Sequence, residues 1–247
     1  MGGRIVTAAR SKVPIGIDRL VGCAIERVEP NGKHLLMHFS KPDADQALVL
    51  QTHMRMSGSW HVYETGVLWK RPRHQATLVV EAGERVAVGF NIPSVSLDSE
   101  TWMRSTPALR LLGSDILSTN FDLGDVVRRL AEQPDERAIG EILLDQTIVA
   151  GIGNIYRCES LFLCGHSPWK PVGALTEAQR RGLIVAAQAL MRANLGADIG
   201  RDFGQGPNKS NVYRRTGRPC RVCSTTIQSQ VQGTQARRAY WCPTCQP

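Results

Sequence analysis

No stretch of this chain is apolar for long enough to cross a bilayer, and Met1-Gly-Gly-Arg is not followed by the apolar core of a signal peptide. Nothing in the sequence routes it out of the cell, and the reducing cytoplasm is the expected compartment. No internal repeat recurs along the 247 residues; with 42% apolar and 21% charged side chains, the composition is that of an ordinary globular protein. Acid is nearly missing from residues 201–247, where Asp202 alone stands against Arg201, Lys209, Arg214, Arg215, Arg218, Arg221, Arg237 and Arg238. That segment therefore carries +7 of the chain's net +8. Such a concentration suits a surface that grips phosphates, with a merely solubilising charge run as the alternative. Three of the seven cysteines, Cys23, Cys158 and Cys164, have no partner at a motif spacing and read as buried free thiols.

The other four are paired, as Cys220-Arg-Val-Cys223 and Cys242-Pro-Thr-Cys245, with eighteen residues between the pairs. This spacing predicts a zinc ribbon, because a soft dication takes four thiolates at tetrahedral corners and each Cys-x-x-Cys turn offers two. One structural zinc ion held by Cys220, Cys223, Cys242 and Cys245 is the expected cofactor. Two unconnected pairs of buried or disulfide-bonded cysteines are the alternative.

The first hundred residues alternate as strands do. Ala24–Val28, His34–Phe39, Ala47–Leu50, Ala76–Val80 and Arg85–Phe90 are short and β-branched or apolar, with turn chemistry at Pro30-Asn-Gly32 and Ala82-Gly83. An antiparallel sandwich or flattened barrel follows, its first strand expected already at Arg4-Ile-Val-Thr7. From about residue 120 the period becomes helical: Asp122 caps a helix over Gly124–Glu132, and a second runs from Ile139 to Gln146. Ile148-Val-Ala-Gly-Ile-Gly-Asn-Ile-Tyr156 is a glycine turn opening into a helix through Phe162. Thr176-Glu-Ala-Gln179 is a capping box for a long helix ending near Gly196, and Gly200–Ser210 reads as a flexible loop. Free N–H groups at Gly151-Ile-Gly153, with Asn154 adding a side-chain donor, can face an anion; an ordinary helix–helix turn with Asn154 as its cap is the alternative.

Ile139-Gly-Glu-Ile-Leu-Leu-Asp-Gln146 followed by Val149-Ala-Gly-Ile-Gly-Asn-Ile-Tyr156 resembles the helix-two-turn-helix of the formamidopyrimidine-DNA glycosylase and endonuclease VIII family. Val212-Tyr213, Gly217-Arg-Pro-Cys220 and Tyr240-Trp-Cys-Pro-Thr-Cys-Gln246 resemble its terminal zinc finger. Gly32-Lys-His-Leu-Leu36 and His53-Met-Arg-Met-Ser-Gly-Ser-Trp60 resemble segments of its N-terminal β domain, and the endonuclease VIII branch is the nearer of the two. The resemblance implies an α+β multidomain chain: a β-sandwich over residues 1–105, a helix-two-turn-helix domain with its loop over 106–208, and a zinc finger over 209–247. It implies a base-excision enzyme that binds damaged double-stranded DNA, removes an oxidised base and cleaves the abasic strand by β/δ-elimination; a monomer is the default expectation. Asn154 matches the family's phosphate-gripping asparagine. Arg237 matches the arginine on the finger hairpin, which holds phosphate and donates a proton in the second elimination. Lys33 matches the lysine assigned to the first elimination, with a solvated hairpin charge as the plain alternative. His53, Arg55 and Met56 fall in the segment that carries a phosphate contact and a gap-filling wedge, although Met56 could also pack in the sheet. Phe90-Asn-Ile-Pro-Ser-Val95 lacks the arginine-rich, Phe-bearing loop of the formamidopyrimidine branch, which favours oxidised pyrimidines as substrates.

One departure is large. The family's nucleophile is an N-terminal proline followed by glutamate on a helix preceding the first strand, and Met1-Gly2-Gly3-Arg4 has no counterpart for either. A start site assigned too far downstream is the simpler expectation, and a noncatalytic lesion binder is the rival.

Overall fold

Alternation along the first hundred residues becomes eight strands: β1 (Ala8–Ser11), β2 (Ala24–Asn31), β3 (His34–Ser40), β4 (Leu48–His53), β5 (Ser59–Glu64), β6 (Ala76–Ala82), β7 (Arg85–Phe90) and β8 (Ser94–Ser99). The computed structural model describes residues 1–40, 47–195 and 210–247. Its chain divides into two units, Met1–Leu111 and Leu112–Pro247, so the expected helical and ribbon segments lie together in the second.

In the first unit the strands form two four-stranded antiparallel sheets, ordered β1-β6-β7-β5 and β2-β3-β4-β8. Period-two patterning turns Ile25, Met37, Phe39, Leu50 and Leu97 of one sheet onto Leu78, Val80 and Ala82 of the other, and this is the sandwich core. The opposite face of β3 presents His34, Leu36 and His38. Pro30 is tolerated because β2 is an edge strand, and the turn into β3 is Gly32-Lys33, with Gly32 at φ 59°. The strand expected at Arg4–Thr7 is not formed: Ile5 makes only an isolated bridge to Ala24, and regular pairing starts at Ala8. Two short helices, α1 (Glu100–Ser105) and α2 (Pro107–Arg110), were not legible as a periodic pattern. Ser99 caps α1 by accepting the Trp102 N–H, and Met103 and Leu109 cover Leu36 and Val49.

The second unit contains β9 (Ser114–Asp115), α3 (Leu123–Ala131), α4 (Ile139–Ile142), β10 (Val149–Ala150), α5 (Asn154–Leu163), α6 (Glu177–Arg192), β11 (Gln228–Gln232) and β12 (Arg237–Trp241). Asp122 caps α3 as expected, accepting the Asp125 N–H. The capping box at Thr176 and Gln179 is complete, and α6 stops short of the end expected near Gly196. The helix expected over Ile139–Gln146 is instead a single turn. Asp145 accepts from Thr147 N and Oγ1, and Gln146 from Gly151 N, so side chains outcompete the helical ladder there. Ile139, Ile142, Leu161, Leu183 and Ile184 fill the helical core. The loop expected over Gly200–Ser210 lies outside the described residues, apart from Ser210. No helix among the described residues is long and apolar enough to cross a membrane.

Candidate nucleic-acid interface

The first unit gathers Lys33, His34, His53 and Arg55 at one end of the β3–β4 pair. His34 and His53 are register partners, and their rings meet edge to face at 4.8 Å. Burial first, then the neighbouring charges of His53 and Lys33, pulls the His34 imidazole down to about 4. His53 is lowered for the same leading reason, with Lys33 and Arg55 contributing. The Arg55 N–H donates to His53 Nδ1 at 3.2 Å, and since a backbone N–H can only donate, that ring carries its proton on Nε2. Arg55 stands at φ 45°, unusual for a residue with a Cβ, in a turn closed by Gly58 N donating to Met54 O. Met56, on that turn, is 75% exposed, so the sheet-packing alternative for it does not hold.

The second unit joins the glycine turn to the hairpin of the ribbon. Gly151 takes φ 105°, a conformation that favours glycine, and Gly153 is the residue before α5. Asn154 is not the cap of that helix. Its Nδ2 donates instead to Arg238 O at 3.0 Å, while its buried Oδ1 has no partner among the described residues. Arg237 opens β12 with its side chain exposed, and its carbonyl accepts from Arg157 at 3.5 Å. Asn154 is thus tied to the backbone of the residue that follows Arg237.

Sequence reasoning missed the groups that make this junction. Arg157 is fully buried, and its guanidinium donates to Gln232 Oε1 at 3.2 Å and Gly140 O at 3.5 Å. Gln232 in turn donates to Pro168 O at 2.8 Å. A side chain at Gly140 would put Cβ 2.6 Å from Gln232 Oε1 and 2.7 Å from Pro168 O, so only glycine fits. Glu159, also buried, accepts four N–H bonds of 2.8–3.1 Å from Asn211 N and Nδ2, Val212 N and Tyr213 N. The available signal was two charges inside the otherwise apolar run of α5.

The sulfurs of Cys220, Cys223, Cys242 and Cys245 all lie within 4.8 Å of one another. A tetrahedral ion with bonds of about 2.3 Å needs sulfurs about 3.8 Å apart, and three of the pairs stand at 3.4, 3.4 and 3.9 Å. Hydrogen bonds, Thr225 first, draw the Cys223 thiol down to about 6, and the Cys223 contact pushes Cys245 up: crowded thiols cannot all ionise without a cation. The donor set fits a closed four-sulfur metal shell. Cys158 is buried beside this cluster and Cys23 is buried in the sandwich, as expected, whereas Cys164 is only partly buried.

A two-sheet sandwich, a glycine turn feeding a helix, and a four-cysteine hairpin bonded to that helix make up the architecture of the helix-two-turn-helix DNA glycosylases. The family models that match are the formamidopyrimidine-DNA glycosylase N-terminal domain over residues 5–92 and the formamidopyrimidine-DNA glycosylase H2TH domain over residues 112–202. A probable endonuclease 8 2 of Streptomyces coelicolor is 37% identical, the alignment covering all of this chain and 88% of that protein. A DNA-(apurinic or apyrimidinic site) lyase, Nei2, of Mycolicibacterium smegmatis is 31% identical over 99% of this chain and 91% of its own length. The crystal structure of Lactococcus lactis Fpg in complex with abasic-site DNA superimposes with a TM-score of 0.80, at 22% identity, covering 100% of this chain and 94% of that one; this likeness is one of fold. The chain belongs to the formamidopyrimidine-DNA glycosylase and endonuclease VIII family.

Proposed function

We propose that the chain acts in base excision on damaged double-stranded DNA, removing an oxidised base, with pyrimidines favoured, and cutting the abasic strand by elimination. The observation that carries this reading is the bond from Asn154 to the strand on which Arg237 is exposed. It ties the Asn154 amide to the strand that bears the Arg237 guanidinium, which supports the reading that both donate to one stretch of phosphate backbone. In the sandwich, Lys33, His53 and Arg55 supply positive charge and N–H donors. Met56 is unbranched, apolar and exposed, as a side chain must be to enter a base step vacated when a nucleotide leaves the stack. In the eliminations Lys33 serves the first step and Arg237 donates a proton in the second. Cys220, Cys223, Cys242 and Cys245 would hold one zinc ion, whose part is structural: four thiolates leave no position for substrate, and the ion ties the two turns beneath Arg237.

Replacing Arg237 tests this reading. Arg237→Ala is expected to weaken binding to undamaged and abasic-site duplexes alike, and to reduce the slope of log K against log salt by about one unit. An unchanged slope removes Arg237 from the interface.

A further inference from the structure

The turn that carries Met56 is supported from one side by a chain of polar contacts that crosses the β2-β3-β4-β8 sheet. Ser96 Oγ on β8 donates to Gln51 Oε1 on β4 at 3.2 Å, and Gln51 Nε2 meets His34 Nδ1 on β3 at 2.8 Å. With Gln51 donating, the His34 Nδ1 is occupied and the ring is held in one orientation. That ring stands edge-on against His53 at an interplanar angle of 70°, and His53 Nδ1 accepts the Arg55 N–H. Arg55 is where the backbone enters the left-handed region, and Gly58 N closes the turn on Met54 O. Each member of the chain fixes the next, and the last contact lies one residue before Met56.

We propose that His34 is the positioning residue of the Met56 turn: locked by Gln51 and Ser96, it braces His53, which keeps Arg55 in the left-handed conformation that projects Met56 from the sheet. The function of that projection rests on the reading of Met56 as the wedge. A brace made of rings that accept N–H bonds works only while both imidazoles are neutral. Burial and Lys33 lower both groups, with Arg55 acting on His53 as well, and so keep the rings neutral around neutral pH. Neither residue type nor spacing singles out His34 in the sequence, because its contacts come from strands seventeen and more positions away.

Two measurements on the full chain separate the brace from the wedge. Amide hydrogen exchange at Arg55 and Gly58 reads the turn in the free protein. 2-Aminopurine fluorescence beside a tetrahydrofuran abasic analogue reads insertion of Met56 into a duplex. His34→Ala is expected to raise exchange at both amides by about tenfold and to reduce the fluorescence response several-fold, with undamaged-duplex affinity within about twofold of the parent. His34→Phe keeps an edge-on ring without the Gln51 bond and is expected to restore part of the protection, which a variant that merely disturbs folding would not do. Exchange in His34→Ala equal to the parent, or in His34→Phe equal to His34→Ala, overturns the brace. Met56→Ala should abolish the fluorescence response and leave exchange unchanged. If it leaves the response intact, the wedge reading fails while the exchange data still decide on His34.

Discussion

A histidine nitrogen that accepts an N–H bond gives up that bond when it takes a proton, so the His34–His53 corner makes the sandwich sensitive to mild acid. The folded His34 titrates near 4 against an ordinary 6.5, a depressed value, and the sign follows from it. Stability from the neutral ring is fully present above pH 6.5. It is lost as pH falls from 6.5 toward 4, because the unfolded chain takes up the proton first. The thermal midpoint of the sandwich should therefore decline across that window, and His34→Gln should flatten that part of the profile. The steeper limb at lower pH should survive, since it belongs to carboxylates such as Glu100, which its Arg104 hydrogen bond lowers first of all. An unchanged decline between 6.5 and 4 in the Gln variant would assign it to another group.

Among the elements, α5 serves as the spine of the second unit, with Asn154, Arg157 and Glu159 each bonded to a different part of the ribbon. Glu159→Gln would turn an acceptor of four N–H bonds into a group that presents an NH₂ to some of those donors. The expected cost is about 1–3 kcal/mol in urea unfolding, with faster metal release to a chelator. Unchanged stability would mean that the amides at Asn211–Tyr213 find water instead. Elements with clean period or caps were legible: β3, β6 and β7 from alternation, α3 from Asp122, α6 from Thr176 and Gln179. β5 was not, because Ser59-Trp-His-Val-Tyr-Glu64 is a strand through its pairing with β7 and only Tyr63 is buried. The helix through Gln146 was overestimated because periodicity does not register Asp145 and Gln146 bonding to their own loop. At the candidate site the four cysteines were plain, since metal ligation fixes residue type and spacing at once. His34, Gln51, Arg157 and Glu159 were not, since their partners are set by tertiary pairing.

At the scale of the molecule, α5 and the ribbon depend on one another through the Glu159 carboxylate. A metal on the four cysteines and the Glu159 carboxylate would act on one piece of chain from its two sides: the metal would order the ribbon, and the ordered ribbon delivers three amides to α5. Their free energies would then be reciprocal, and whatever factor the carboxylate adds to metal affinity, the metal would return to the helix. The ion would act as a thermostat for the helix packed beside it, and metal depletion would loosen the ribbon and the Asn154 contact together.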